Sequence, residues 1–153
     1  MNGAFHHFQL MKIIPCKLIG IVLVAALVAP IVRPQQPTNK AQLAAQVRNE
    51  FLHAWNGYKK HAWGHDDLKP LSHSYHDWYA EPLLMTPVDA LDTMILMGLK
   101  DEAKTTREYI VKNLSFDKDI DVQNFEITIR LLGGLLSSYQ LTGDQRLLQL
   151  AED

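Results

Sequence analysis

From about residue 40 onward, apolar residues recur at helical spacing, and the spacing predicts a succession of helices. Leu43, Val47, Phe51, Ala54 and Tyr58 form one stripe, with Thr38 or Asn39 placed to cap its start, so a helix is expected to about His61. A second stripe of Val88, Leu91, Met94 and Ile95 follows Thr86-Pro87-Val88-Asp89. That tetrapeptide has a capping hydroxyl, a proline for the first helical position and an acid in the first turn. Gly98 ends this helix. Asp101 restarts one along Ala103, Thr106, Ile110 and Leu114, and Asp121 to Gly143 carries a longer stripe of Phe125, Ile129, Leu132, Leu136 and Tyr139. Gly143-Asp144 opens a last helix, QRLLQLAED.

No segment alternates with a period of two between turn dipeptides, so the expected class is all-α. Short Gly-Asp and Gly-Leu-Lys-Asp connections bring consecutive helices back on themselves as antiparallel αα hairpins. Ala62 to Met85 is the exception. Punctuated by Gly64, Pro70 and Pro82, it has no clean period, and a connection of that length inside a compact domain tends to be functional.

The amino terminus has another pattern. Lys12 and Lys17 precede an uncharged apolar run, Leu18 to Val32, which is shorter than the roughly 20 residues of a spanning helix. Residues 1–32 therefore read as a signal peptide, with an uncleaved membrane anchor through 18–32 as the alternative, and 33–40 as a linker. Residues beyond it then face a lumen, a periplasm or the exterior. The only cysteine, Cys16, lies in that segment, which removes disulfides and thiol catalysis from the remainder. A net charge of −2 over 153 residues gives no basic surplus for nucleic acid.

Chemistry enters with the long central stripe. Between Val122 and Thr142 the charged residues are Glu126 and Arg130, and Gly133, Gly134, Ser137 and Ser138 stand where a solvated face would carry Lys and Glu. Two readings are open: an ordinary i, i+4 ion pair of about 0.2–0.5 kcal/mol on a helix whose glycines admit a neighbour, or a carboxylate and a guanidinium lining a site. Asp89 and Asp92 share a helical face one turn apart. In the loop, His61, His65, Asp66, His73 and His76 could be read as a zinc cluster, although their spacing matches no closed site. Trp55, Trp63 and Trp78 offer flat faces either for core packing or for pyranose rings.

Three blocks of wording add to this. FEITIRLLGGLLSSYQLTGD, FLHAWNGYKKHAWGHDDLKPLS and VDALDTMILMGL resemble segments of the class I α-1,2-mannosidases, glycoside hydrolase family 47. The resemblance implies an (α/α)7 barrel of which residues 41–153 form the opening part. It implies Glu126 as general acid, with Arg130 and Asp89 as sugar-site residues, and leaves Asp92 as structural; the loop's own residue types, Asp and His that can bond hydroxyls, make His65 and Asp66 the expected contacts at the rim. The family's enzymes are inverting and calcium-dependent, with the cation's ligand in a later part of the barrel and no metal ligand in this stretch. They remove terminal α-1,2-linked mannose from N-glycan-type, high-mannose oligosaccharides or glycoproteins in the secretory pathway. The expectation is thus a fragment of such a hydrolase, inactive by itself; the alternative is a non-hydrolytic mannose-glycan-binding or quality-control module.

Overall fold

The computed structural model describes residues 39–153. The leader or anchor expected over 1–32, and most of the linker, lie outside the described residues. Asn39 caps the first helix, its side-chain oxygen accepting from the backbone N–H of Ala41 and Gln42 at 3.1 and 3.3 Å, and α1 runs Lys40–His61. Its buried side differs from the expected stripe. Trp55 and Tyr58 are buried, but Leu43, Val47 and Ala54 are exposed, because the aromatic cluster with Trp63 and Tyr109 sets which side of α1 packs.

The loop contains the one departure from an all-helical framework among the described residues. β1 (Asp67–Lys69) and β2 (Ser74–His76) pair antiparallel, with Asp67 opposite His76, Leu68 opposite Tyr75 and Lys69 opposite Ser74. Strands of three residues are too short to show alternation, which is why the pattern missed them.

Two helical hairpins follow. α2 (Met85–Leu96) returns through Gly98, whose φ of 72° is the left-handed turn that glycine adopts without a Cβ clash, into α3 (Lys100–Asn113). Thr86 does not cap α2. The helix starts two residues earlier, at Met85 and behind a left-handed Leu84 (φ 55°), and the Thr86 N–H and hydroxyl both donate to the Asp66 carbonyl. On α3 the expected residues Ala103, Thr106 and Ile110 are buried, as is Leu114 just beyond it.

The central helix has three parts in line: α4 (Asn124–Glu126), a π-helical stretch (Ile127–Leu132) and α5 (Gly133–Thr142). It packs on α2 and on α6 (Gln145–Glu152). Its buried face is Leu131, Leu135 and Ser138, whereas Phe125 and Ile129, expected inside, are 69% and 50% exposed. Two features set this register. The wider π turns rotate the residues before Gly133 relative to those after it, and Gly134 lies so close to α2 that an added Cβ would come within 2.9 Å of Val88 Cγ1. Met94, Ile110, Leu131 and Leu147, from four helices, form the centre of the core.

Candidate active site

Glu126 ends α4, and Arg130 lies one turn on, within the π-helical stretch. Arg130 Nε donates to Glu126 Oε2 and Nη1 donates to Asp89 Oδ2, each at 2.7 Å, so one guanidinium joins the central helix to α2. Its face lies over Trp78, 4.7 Å from the ring centroid. These side chains are 24% (Glu126), 35% (Arg130) and 36% (Asp89) exposed. They form a shelf open to water, not a closed hollow.

The electrostatics follow from that arrangement. Partial desolvation pushes the Asp89 carboxyl above its ordinary range, with Asp92 and Asp67 adding to it, and this outweighs the downward pull of Arg130. The guanidinium is held charged, first by its bond to Glu126 and then by that to Asp89. Glu126 Oε1 has no protein partner among the described residues and so is left for a ligand atom. Asp92 accepts from the Ser137 hydroxyl at 2.8 Å and ties α2 to α5, a packing task in keeping with the structural part expected for it.

Asp66 and His65 lie apart from this trio, with no hydrogen bond or ion pair to it. Asp66 is wholly buried, its carboxylate accepting from the backbone N–H of Trp78, Leu83 and Met85 at 3.0, 2.7 and 3.1 Å. With both oxygens engaged by backbone and none facing water, a rim contact from Asp66 to sugar is excluded by geometry. Its task is to fold the loop around the left-handed Leu84, a conformation that costs about 1–2 kcal/mol for a side-chain-bearing residue. His65 is 30% exposed, donates through Nδ1 to Asp77 at 2.9 Å and stacks on Tyr75. Sequence reasoning missed Asp67 and Asp77. Both are ordinary loop acids until the hairpin pairs them with Trp78 and His65, and the signal was the density of acids beside His and Trp in one loop. Of the three tryptophans, Trp55 is buried and Trp63 belongs to the same aromatic cluster, so those two pack.

The sequence model of glycosyl hydrolase family 47 matches residues 50–153, which include every residue of the shelf. The chain belongs to glycosyl hydrolase family 47. It is 55% identical over 107 residues to the endoplasmic reticulum mannosyl-oligosaccharide 1,2-alpha-mannosidase of Homo sapiens, a match covering 70% of this chain and 15% of that protein. To the enzyme of the same description from Rattus norvegicus it is 52% identical over 117 residues, covering 76% of this chain and 17% of the relative. Among solved structures, the alpha-1,2-mannosidase from Trichoderma reesei superposes with a TM-score of 0.65 at 34% identity, over 76% of this chain and 27% of that one. The chain thus spans less than a fifth of the mammalian relatives it matches. Its framework is all-α, with consecutive antiparallel αα hairpins that form the opening part of an (α/α)7 barrel, decorated by the β1–β2 hairpin.

Proposed function

We propose that this chain carries the proton-donating wall of an inverting α-1,2-mannosidase site, with Glu126 as general acid and Arg130 and Asp89 as sugar-binding residues. The carrying observation is that one guanidinium bridges Glu126 and Asp89 at 2.7 Å on each side. Glycosidic cleavage needs a proton on the departing oxygen and a second carboxylate to direct water. Glu126 offers Oε1 for the first task, while Arg130 fixes the other oxygen and so aims the group. Asp89, raised by partial desolvation, hydrogen-bonds a hydroxyl either as donor or as acceptor. His65 stays in the proposed sugar-contacting set through its partly exposed ring. The substrate is a high-mannose oligosaccharide or glycoprotein in the secretory pathway, the setting named for the mammalian relatives.

Calcium is the cation implied by the family resemblance. Among the described residues no three His, Cys, Asp or Glu gather where they could hold a metal ion, so these residues do not fit a calcium cage and no step is assigned to it. No described helix is long and apolar enough to cross a membrane.

The second reading, glycan binding without hydrolysis, draws support from the same bond, since a guanidinium that bridges Glu126 and Asp89 serves equally to hold a bound sugar's hydroxyls. Titrating the chain with Man-α-1,2-Man and assaying free mannose separates the two. Binding without release by the chain alone, together with mannose release once its segment replaces the counterpart in the full-length human relative, a release that Glu126→Gln abolishes, supports the hydrolase reading. Binding without release, with the chain's segment also unable to replace its counterpart in the full-length human relative, supports the binding module. No binding at all sinks both.

A further inference from the structure

We propose that Trp78 and Asp67 are positioning residues for Arg130: the indole, held at its N–H by Asp67, fixes the plane in which one guanidinium meets Glu126 and Asp89. The inference deepens the reading above and rests on Arg130 being the cation of the sugar site.

A guanidinium is a flat ion with donors around its edge. The bonds from Nε to Glu126 and from Nη1 to Asp89 fix two points on that edge, but they leave the plane free to tilt about the line that joins them. Ion pairs between side chains about one-third exposed exchange readily with water and define little geometry alone. The Trp78 ring, 4.7 Å from the Arg130 carbon, blocks that tilt from one face.

The platform is itself held. Trp78 Nε1–H donates to Asp67 Oδ2, and the Trp78 backbone N–H donates to the buried Asp66 carboxylate at 3.0 Å. Asp67 is on β1 opposite His76, and Trp78 follows His76 by two residues, so strand pairing sets the distance between indole and acceptor. His76 Nδ1 approaches the same Asp67 oxygen at 3.9 Å. A continuous path of contacts therefore runs from the β1–β2 register to Arg130. This gives the hairpin a purpose, and it occupies one face of Trp78 with a cation, a use beside the two, core packing and a pyranose ring, that the sequence left open. Arg130 Nη2 has no protein partner among the described residues. The clamp thus leaves two N–H donors in a fixed direction for a ligand oxygen, which suits the hydroxyl of a sugar.

The test reads the Arg130 side chain directly, in the ¹⁵N-labelled full chain, with Arg130→Lys identifying its Nε–H resonance. The expected wild-type signal is shifted upfield by the indole ring current and exchanges slowly with water. Trp78→Leu should abolish the shift and speed exchange by about tenfold, Trp78→Phe should retain most of both, and Asp67→Ala should fall between. Shift and exchange within about twofold of wild type in Trp78→Leu overturn the proposal. If Trp78→Leu gives no folded amide spectrum, Asp67→Ala decides, and an unaltered signal there overturns it. Adding Man-α-1,2-Man separates the two claims. A clamped Arg130 signal that the sugar never perturbs counts against the mannosidase reading alone, whereas full sugar binding in a variant that has lost the signal counts against the clamp alone.

Discussion

The α2–α3 hairpin and the loop from Ala62 to Leu84 lie side by side and are held by opposite means. The hairpin buries Val88, Leu91, Met94, Ala103, Thr106 and Ile110 at helical spacing, so its stability is divided among many contacts, each replaceable in part. The loop also buries Ala62, Leu83 and Leu84 and packs Trp63, Leu68, Trp78 and Tyr79 against the core, but with no repeating face its path turns on one carboxylate. Asp66 gathers the N–H groups of Trp78, Leu83 and Met85, and its own carbonyl takes Thr86, so residues 20 positions apart meet at one point. A packed hairpin tolerates single losses; a loop organised around one buried ion does not.

Substitutions at the two centres should break this contrast or sharpen it. Asp66→Ala leaves the buried N–H groups of Leu83 and Met85 and the partly buried one of Trp78 without an acceptor and releases the left-handed Leu84, and it should cost about 3–5 kcal/mol. Ile110→Ala in the hairpin should cost about 2–4 kcal/mol through lost burial and a cavity. Urea unfolding followed by tryptophan fluorescence measures both, and a loss below about 1 kcal/mol for Asp66→Ala would remove the loop's proposed dependence. The Arg130 resonance described above should move in Asp66→Ala and stay put in Ile110→Ala, because only the former holds the Trp78 backbone.

A smaller effect is expected where the central helix meets α2. Gly134→Ala places a Cβ at 2.9 Å from Val88 Cγ1 and 3.2 Å from its carbonyl oxygen, an overpacking worth about 1–3 kcal/mol. Adding Val88→Ala should return part of that loss, since the methyl can be removed and the backbone oxygen cannot. Strict additivity in the double variant would show that the contact is not the cause.

The smallest effect is a pH dependence at the start of α6. Asp144 caps that helix and is held at about 2, first by its hydrogen bond from Arg146. A carboxyl lowered in the fold binds its proton more weakly there than in the unfolded chain. Its contribution is therefore complete above its ordinary value of 3.8 and is lost as pH falls from there toward about 2. Asp144→Asn should flatten thermal stability across that window relative to wild type. An unchanged slope would mean that the Arg146 contact does not persist in solution.

The buried stripe of the α2–α3 hairpin, though not the start of α2, was legible, because a helix buried on one side repeats its demand for apolar groups every turn. So was the pairing of Glu126 with Arg130, since four residues along a helix place two side chains together whatever surrounds them. The same rule misplaced the buried face of the central helix. Phe125 and Ile129 are as apolar as Leu131 and Leu135, and periodicity alone cannot choose between two greasy faces when π turns shift the register between them. Asp66 shows the complementary failure: wording next to a histidine suggested a sugar contact, but its burial makes it an acceptor for the backbone.

Local order was therefore written in the sequence: which segments are helical, which turns need glycine, and which carboxylate shares a turn with an arginine. These depend on neighbours within about four positions, and one-dimensional spacing carries that information. Tertiary structure alone decided that Asp89 joins the same guanidinium from another helix, that Trp78 lies beneath it, and that Asp66 is enclosed. Each requires groups distant along the chain to meet, and their meeting is set by the packing of whole elements, which no local pattern encodes.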